Sequence, residues 1–110
     1  MTRPVRLVIA DDHPMFRYGL MAALAASAEV EVVGEAADGE ALSQMVAELR
    51  PDVALTDLEM PGVDGLAAAQ TLAEHYPEVG VLVLTMHAED QSLLAAIRAG
   101  ARGYLLKGAE

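Results

Sequence analysis

Five short apolar runs, each but the last followed by a segment of helical periodicity, leave few folds open to this chain. The runs are VRLVIA (5–10), VEVVGEA (30–36), VALT (53–56), VLVLT (81–85) and the shorter GYLL (103–106). They are rich in Val, Leu and Ile without strict alternation, the pattern of parallel strands covered on both faces. Between them, Phe16, Leu20 and Leu24 mark one helical stripe, and Leu42, Met45, Val46 and Leu49 a second. Leu66, Ala69 and Leu72 mark a third, and Leu93, Leu94 and Ile97 a fourth. Asp38, Asp64 and Asp90 stand at N-cap positions, while Pro51, Pro77 and Gly100 stand where helices should stop. The repeated β-α order predicts a doubly wound parallel sheet with right-handed crossovers.

Size and charge narrow the function classes. With 110 residues, 54% hydrophobic and 22% charged, the chain has room for one globular domain, 1–110, and no second. A net charge of −10 argues against this segment gripping nucleic acid by itself, because phosphate backbones are held by clustered Lys and Arg. The seven basic residues are scattered, and Lys107 is the single lysine. With no cysteine there is neither a disulfide framework nor a thiolate metal site. The longest small-apolar stretch, GLMAALAASA (19–28), is about half the ~20 residues of a bilayer span, and MTRPVRL lacks a signal-peptide core. A cytoplasmic protein without membrane contact is expected.

In open α/β sheets, ligands bind beyond the carboxyl ends of the strands, at the point where the winding changes face. The polar residues that interrupt the apolar pattern fall at such ends: Asp11 and Asp12 after the first strand, Asp57 after the third, Thr85 closing the fourth, Lys107 after the fifth. Taken singly, an acid pair is an ordinary solvated turn and a lone lysine an ordinary surface charge; it is their joint placement that suggests a site. If strands one and three are neighbours in a 2-1-3-4-5 sheet, three carboxylates converge. Such a cluster is unfavourable unless a cation shares it or its protonation changes. An all-oxygen ligand set in a partly solvated cleft suits Mg²⁺. Asp57 could then attack a phosphoryl group whose oxygens Lys107 neutralises and to which Thr85 donates. His13 and His87 show no metal-ligand spacing and are left out of the metal shell. Pro61-Gly62 suits a type II turn that shapes the site without reacting.

The stretches IADDHP, DLEMPGVDG, VLT and GYLLKG together resemble the response-regulator receiver domain of two-component systems, over essentially the whole chain. ADDHPMFRYGL and AGARGYLLKG resemble the LuxR/NarL-type branch. The resemblance implies a flavodoxin-like fold, a five-stranded parallel sheet of order 2-1-3-4-5. It implies Asp57 as phosphoacceptor, and Asp12, Asp57 and the Glu59 backbone carbonyl as ligands of Mg²⁺ (or Mn²⁺), with Asp11 acting through bound water. Thr85 and Lys107 match the phosphoryl-sensing pair and Tyr104 the switch aromatic. Glu59 and His87, two residues beyond Asp57 and Thr85, are expected on the approach path of water to the phosphorus, as modulators of its access. The implied partners are a sensor histidine kinase and a second copy in a homodimer, with DNA reached only through an output domain absent from these residues. The resemblance implies a signalling phosphoacceptor rather than an enzyme, limited to self-phosphorylation from a donor and autodephosphorylation.

Two departures stand out. Many receivers carry proline after the lysine, whereas Gly108 follows Lys107, leaving the isomer of that peptide open. The chain also stops at Glu110, before a fifth helix, so apolar side chains among Leu20, Leu24, Leu105 and Leu106 should be exposed and should promote self-association. Two other function classes stay open: a Mg²⁺-dependent phosphohydrolase with an aspartyl nucleophile, for which Glu59 would be the second acid but no cap domain fits, and a receiver-like interaction module that is never phosphorylated.

Overall fold

The computed structural model describes residues 3–58, 65–85 and 91–106. Strands β1 (Val5–Ala10), β2 (Val30–Ala36), β3 (Val53–Asp57), β4 (Gly80–Thr85) and β5 (Gly103–Leu106) alternate with helices α1 (Pro14–Ala25), α2 (Gly39–Leu49), α3 (Gly65–His75) and α4 (Gln91–Ala99). The strands form one sheet in the order β2-β1-β3-β4-β5, all neighbours parallel. That is the order expected from the sequence, with β3 one residue longer, so that Asp57 is its last member rather than the residue beyond it.

Local chemistry sets the helix ends. Asp38, in an extended conformation, caps α2 by accepting a hydrogen bond from the Ala41 amide at 2.8 Å. At the other end of α2, Arg50 has a positive φ of 47° and precedes Pro51, which disfavours helix in the residue before it. Helix α1 begins with Pro14 in its first turn, where a missing amide hydrogen costs nothing. Gly100 ends α4 with φ 125°, and a Cβ there would lie 2.6 Å from the Ala73 Cβ, so this turn needs glycine for both conformation and space. The N-cap and turn expectations for Asp64, Asp90, Pro61 and Gly62 fall outside the described residues.

The two sheet faces are covered unequally. On one, Val8, Ala54, Val81 and Val83 pack beneath Leu42 and Val46 of α2, Leu72 of α3 and Ala96 of α4, all at most 1% exposed. Each fully buried leucine here contributes roughly 1.5–3 kcal/mol. On the other face, Leu7, Ile9, Leu55 and Leu84 are covered, among the described helices, by α1 through the partly buried Phe16, Leu20, Met21 and Leu24. No α1 side chain is fully buried. Beside α1 an apolar groove of about 230 Å³ runs between Leu20, Leu24, Val53, Leu55, Leu82 and Leu105. Leu105 and Leu106 are 47% and 39% exposed, as expected, whereas Leu20 and Leu24 are only partly so.

The fourth helical stripe needs correction in part. Among the side chains of α4 that are described, Leu94 and Ile97 are exposed and Ala96 is wholly buried.

One irregularity matters for the site. Leu7 pairs with Val32, but Val8 pairs with Gly34, so Val33 is an extra residue in β2. Side chains on a strand alternate between faces, so one inserted residue reverses the facing of all that follow. Val30 and Val32 lie on the α1 face, Ala36 on the opposite face, and Glu35 comes into register with Ile9 on the α1 face.

Candidate functional site

Register brings the polar strand ends together. Asp11 follows β1, which is flanked by β2 and β3, and its amide donates to the Ala36 carbonyl at 3.0 Å. Asp57 ends β3 opposite Leu84, and the Leu58 amide donates to the Leu84 carbonyl at 3.1 Å. Thr85, one residue further along β4, pairs with Leu106 of β5. Asp11, Asp57 and Thr85 are all at most 5% exposed. These ends lie within a parallel sheet, where a polar group is covered by the crossovers above and below it.

One ligand atom from each of Asp11, Asp12, His13 and Asp57 falls within a mutual separation of 4.8 Å. The His13 Nδ1 lies 2.9 Å from Asp11 Oδ1, 3.1 Å from Asp12 Oδ1 and 3.9 Å from Asp57 Oδ2. The His13 Nδ1 and Asp11 Oδ1 are thus within hydrogen-bonding distance. The His13 backbone amide donates to Asp11 Oδ1, at 2.8 Å. The Asp12 side chain is 32% exposed, yet its Oδ1 is buried and accepts no hydrogen bond among the described residues. A buried carboxylate oxygen in that state, beside two further carboxylates and open to solvent on one side, fits a hard divalent cation. Asp12, Asp57 and, more deeply, Asp11 are the residues that could hold one.

The sequence reading placed Asp11, Asp12 and Asp57 at one site, and the geometry has them there. It kept His13 out, for want of ligand spacing, whereas the ring nitrogen sits among the three carboxylates. The available signal was position: His13 is the N-cap residue of α1, immediately after the acid pair, and its side chain makes no cap hydrogen bond. Tyr104 is 46% exposed on β5, opposite Val83. Glu59, His87 and Lys107 lie outside the described residues, as does the Lys107-Gly108 peptide. Among the described residues no helix is long and apolar enough to cross a membrane.

Residues 7–110 match the family described as the response regulator receiver domain. The transcriptional regulatory protein NarL of Mycobacterium tuberculosis is 44% identical over 103 residues, covering 94% of this chain and 48% of that protein. LiaR of Bacillus subtilis is 42% identical over 103 residues, covering 94% and 49%. This chain thus spans about half the length of the curated relatives it matches. Among solved structures, the signal receiver domain of M. tuberculosis NarL superposes with a TM-score of 0.92 at 41% identity, over 99% of this chain and 88% of that one. The isolated receiver domain of RcsB from Salmonella enterica, solved in the presence of the phosphomimetic BeF₃⁻, gives 0.88 at 34%, over 97% and 80%. On the sheet order, the gathered acids and this similarity along its length, the chain belongs to the response-regulator receiver-domain family, alongside NarL-type regulators.

Proposed function

We propose that Asp57 is the phosphoacceptor of this receiver domain, taking a phosphoryl group from a histidine kinase in a Mg²⁺-dependent reaction. The observation that carries this reading is the gathering of Asp11, Asp12 and Asp57 around one point at the strand ends, two of them wholly buried. An Asp57 carboxylate oxygen attacks phosphorus, the bond from phosphorus to the donor's imidazole nitrogen breaks, and the imidazole leaves with that electron pair. Asp12, Asp57 and the Glu59 carbonyl would hold Mg²⁺, with Asp11 acting through water, and the ion would neutralise charge on phosphoryl oxygens entering a cluster of like charge. Thr85 donates its hydroxyl to a phosphoryl oxygen and Lys107 its ammonium. The exposed Tyr104 turns inward as Thr85 moves, and the altered β4–β5 edge biases homodimerisation. Glu59 and His87 modulate the access of hydrolytic water to the acyl phosphate.

The reaction is stoichiometric, so the domain serves as a signalling switch in the cytoplasm. Control of transcription is carried over from NarL and LiaR, whose names describe regulators about twice this length. DNA contact would belong to an output domain.

Incubation with acetyl phosphate or phosphoramidate and Mg²⁺, followed by intact-mass measurement, tests the reading. One phosphate per chain is expected, absent without divalent cation and absent in Asp57→Asn. Unchanged incorporation in Asp57→Asn removes Asp57 from its role. No incorporation in the wild type leaves an unphosphorylated interaction module, and steady turnover of a phosphomonoester identifies a phosphohydrolase.

A further inference from the structure

Arg17 lies one turn into α1, and its side chain is only 14% exposed, low for an arginine. The guanidinium is shared between two partners. Nη1 donates to the main-chain carbonyl of Asp11, and Nε donates to Glu35 Oε1 at 2.9 Å. Glu35 neighbours Ala36, whose carbonyl accepts from the Asp11 amide. A closed circuit results: Asp11 is tied through its amide to the end of β2 and through its carbonyl to an arginine that β2 also holds. The Arg17 amide meanwhile donates to the His13 carbonyl at 3.1 Å, closing the first turn of α1. Arg17 thus braces the short turn that carries Asp11, Asp12 and His13. The brace depends on the bulge in β2, since with the same residues in regular alternation after Val32, Glu35 would face α2 instead of α1.

We infer that Arg17, held by Glu35, is the positioning residue that sets the geometry of the Asp11-Asp12 turn and thereby the divalent-cation affinity of the acid cluster. This rests on the cluster being a cation site. Only a planar fork delivers two donors in two fixed directions, so lysine keeps the charge and loses the brace. Residues that orient metal ligands typically control affinity by about 10–100-fold. The effect also has a sign that separates it from simple charge. Removing a cation near a cation site should tighten binding by Coulomb's law, whereas removing a brace should loosen it.

Mn²⁺ titration followed by electron paramagnetic resonance, on protein shown to be folded by circular dichroism without metal, decides the matter. Asp12→Asn is the control for the site itself. Expected are roughly tenfold weaker Mn²⁺ binding in Arg17→Met, a comparable loss in Arg17→Lys, and near-native affinity in Glu35→Gln, which keeps an acceptor oxygen. Native or tighter binding by Arg17→Met overturns the inference, as does native binding by Arg17→Lys. If the arginine variants do not fold, Glu35→Ala, which frees Arg17 without deleting it, takes their place; weaker binding supports the brace and native binding removes it. A wild type that binds no Mn²⁺, or an Asp12→Asn protein that binds it as well as wild type, brings down the cation site and the inference with it.

Discussion

The two ends of the sheet handle charge in opposite ways. At the amino-terminal end, Asp52 receives two hydrogen bonds from the Arg3 guanidinium, at 2.8 and 3.0 Å, and a third from the Arg6 amide at 2.8 Å. Arg6 closes onto the Leu49 and Arg50 carbonyls, Arg50 pairs with Glu78 and lies over the Tyr76 ring, and Arg102 donates to the Pro77 carbonyl. At the carboxyl-terminal end three carboxylates crowd one imidazole, and the nearby guanidinium of Arg17 is spent on a backbone carbonyl and a fourth carboxylate. Four of the seven basic residues serve the first end. Two such ends on one scaffold separate the tasks: paired charges hold strand starts to helix ends, and at the far end carboxylates gather about one imidazole, where a cation could be held.

The sharpest way to break this comparison is at the acid end. Asp12→Asn should weaken Mg²⁺ or Mn²⁺ binding at least about tenfold, yet leave metal-free stability no lower than wild type, since it relieves like-charge repulsion. Calorimetric titration and thermal unfolding in chelator check the two halves; a clear loss of metal-free stability would show that this end is structural after all. Next in size, Mg²⁺ at ten times its dissociation constant should stabilise the wild type by about 1.4 kcal/mol through linkage, and Asp12→Asn much less. Urea unfolding with and without the cation measures it.

At the other end the order reverses. Arg6→Met should cost about 1 kcal/mol, because its part-buried guanidinium satisfies two carbonyls, while Mn²⁺ affinity stays unchanged. The smallest effect belongs to Asp52. Hydrogen bonds from the Arg3 side chain, and then from the Arg6 amide, hold its carboxyl below the ordinary value of 3.8. A depressed carboxyl contributes stability that is present above the unfolded value and lost as pH falls through the folded one. Asp52→Asn should therefore melt slightly below wild type near neutral pH, and the gap should close below about pH 4. A gap of constant size across an acid series of melting curves would rule out the ion pair as its source.

Legibility in sequence followed the same divide between pattern and placement. The strand runs and the Asp38 cap could be read almost to the residue, because a doubly covered strand and an N-cap leave local signatures. Asp57 could be picked out as the acid where an apolar run stops. His13 could not, because spacing rules describe ligands on one element, whereas its ring reaches acids on β3 as well as on its own turn. The outward facing of Leu94 and Ile97 was hidden because periodicity finds a stripe but not which side a neighbour occupies. Arg17 and Glu35 stand 18 residues apart, and a lone Gly34 in VEVVGEA is the sole hint of where the strand gains its extra residue.

That extra residue has a consequence for any chain aligned with, or engineered from, this one. It works as a frameshift in side-chain space: were β2 to keep every residue and pair in regular alternation without the bulge, Gly34, Glu35 and Ala36 would each change face, and the carboxylate that grips Arg17 would turn toward the packed interior beneath α2. An edge strand is the usual place to tolerate a lost or gained residue. In this edge strand, length carries information about the acid-bearing turn that its last carbonyl holds.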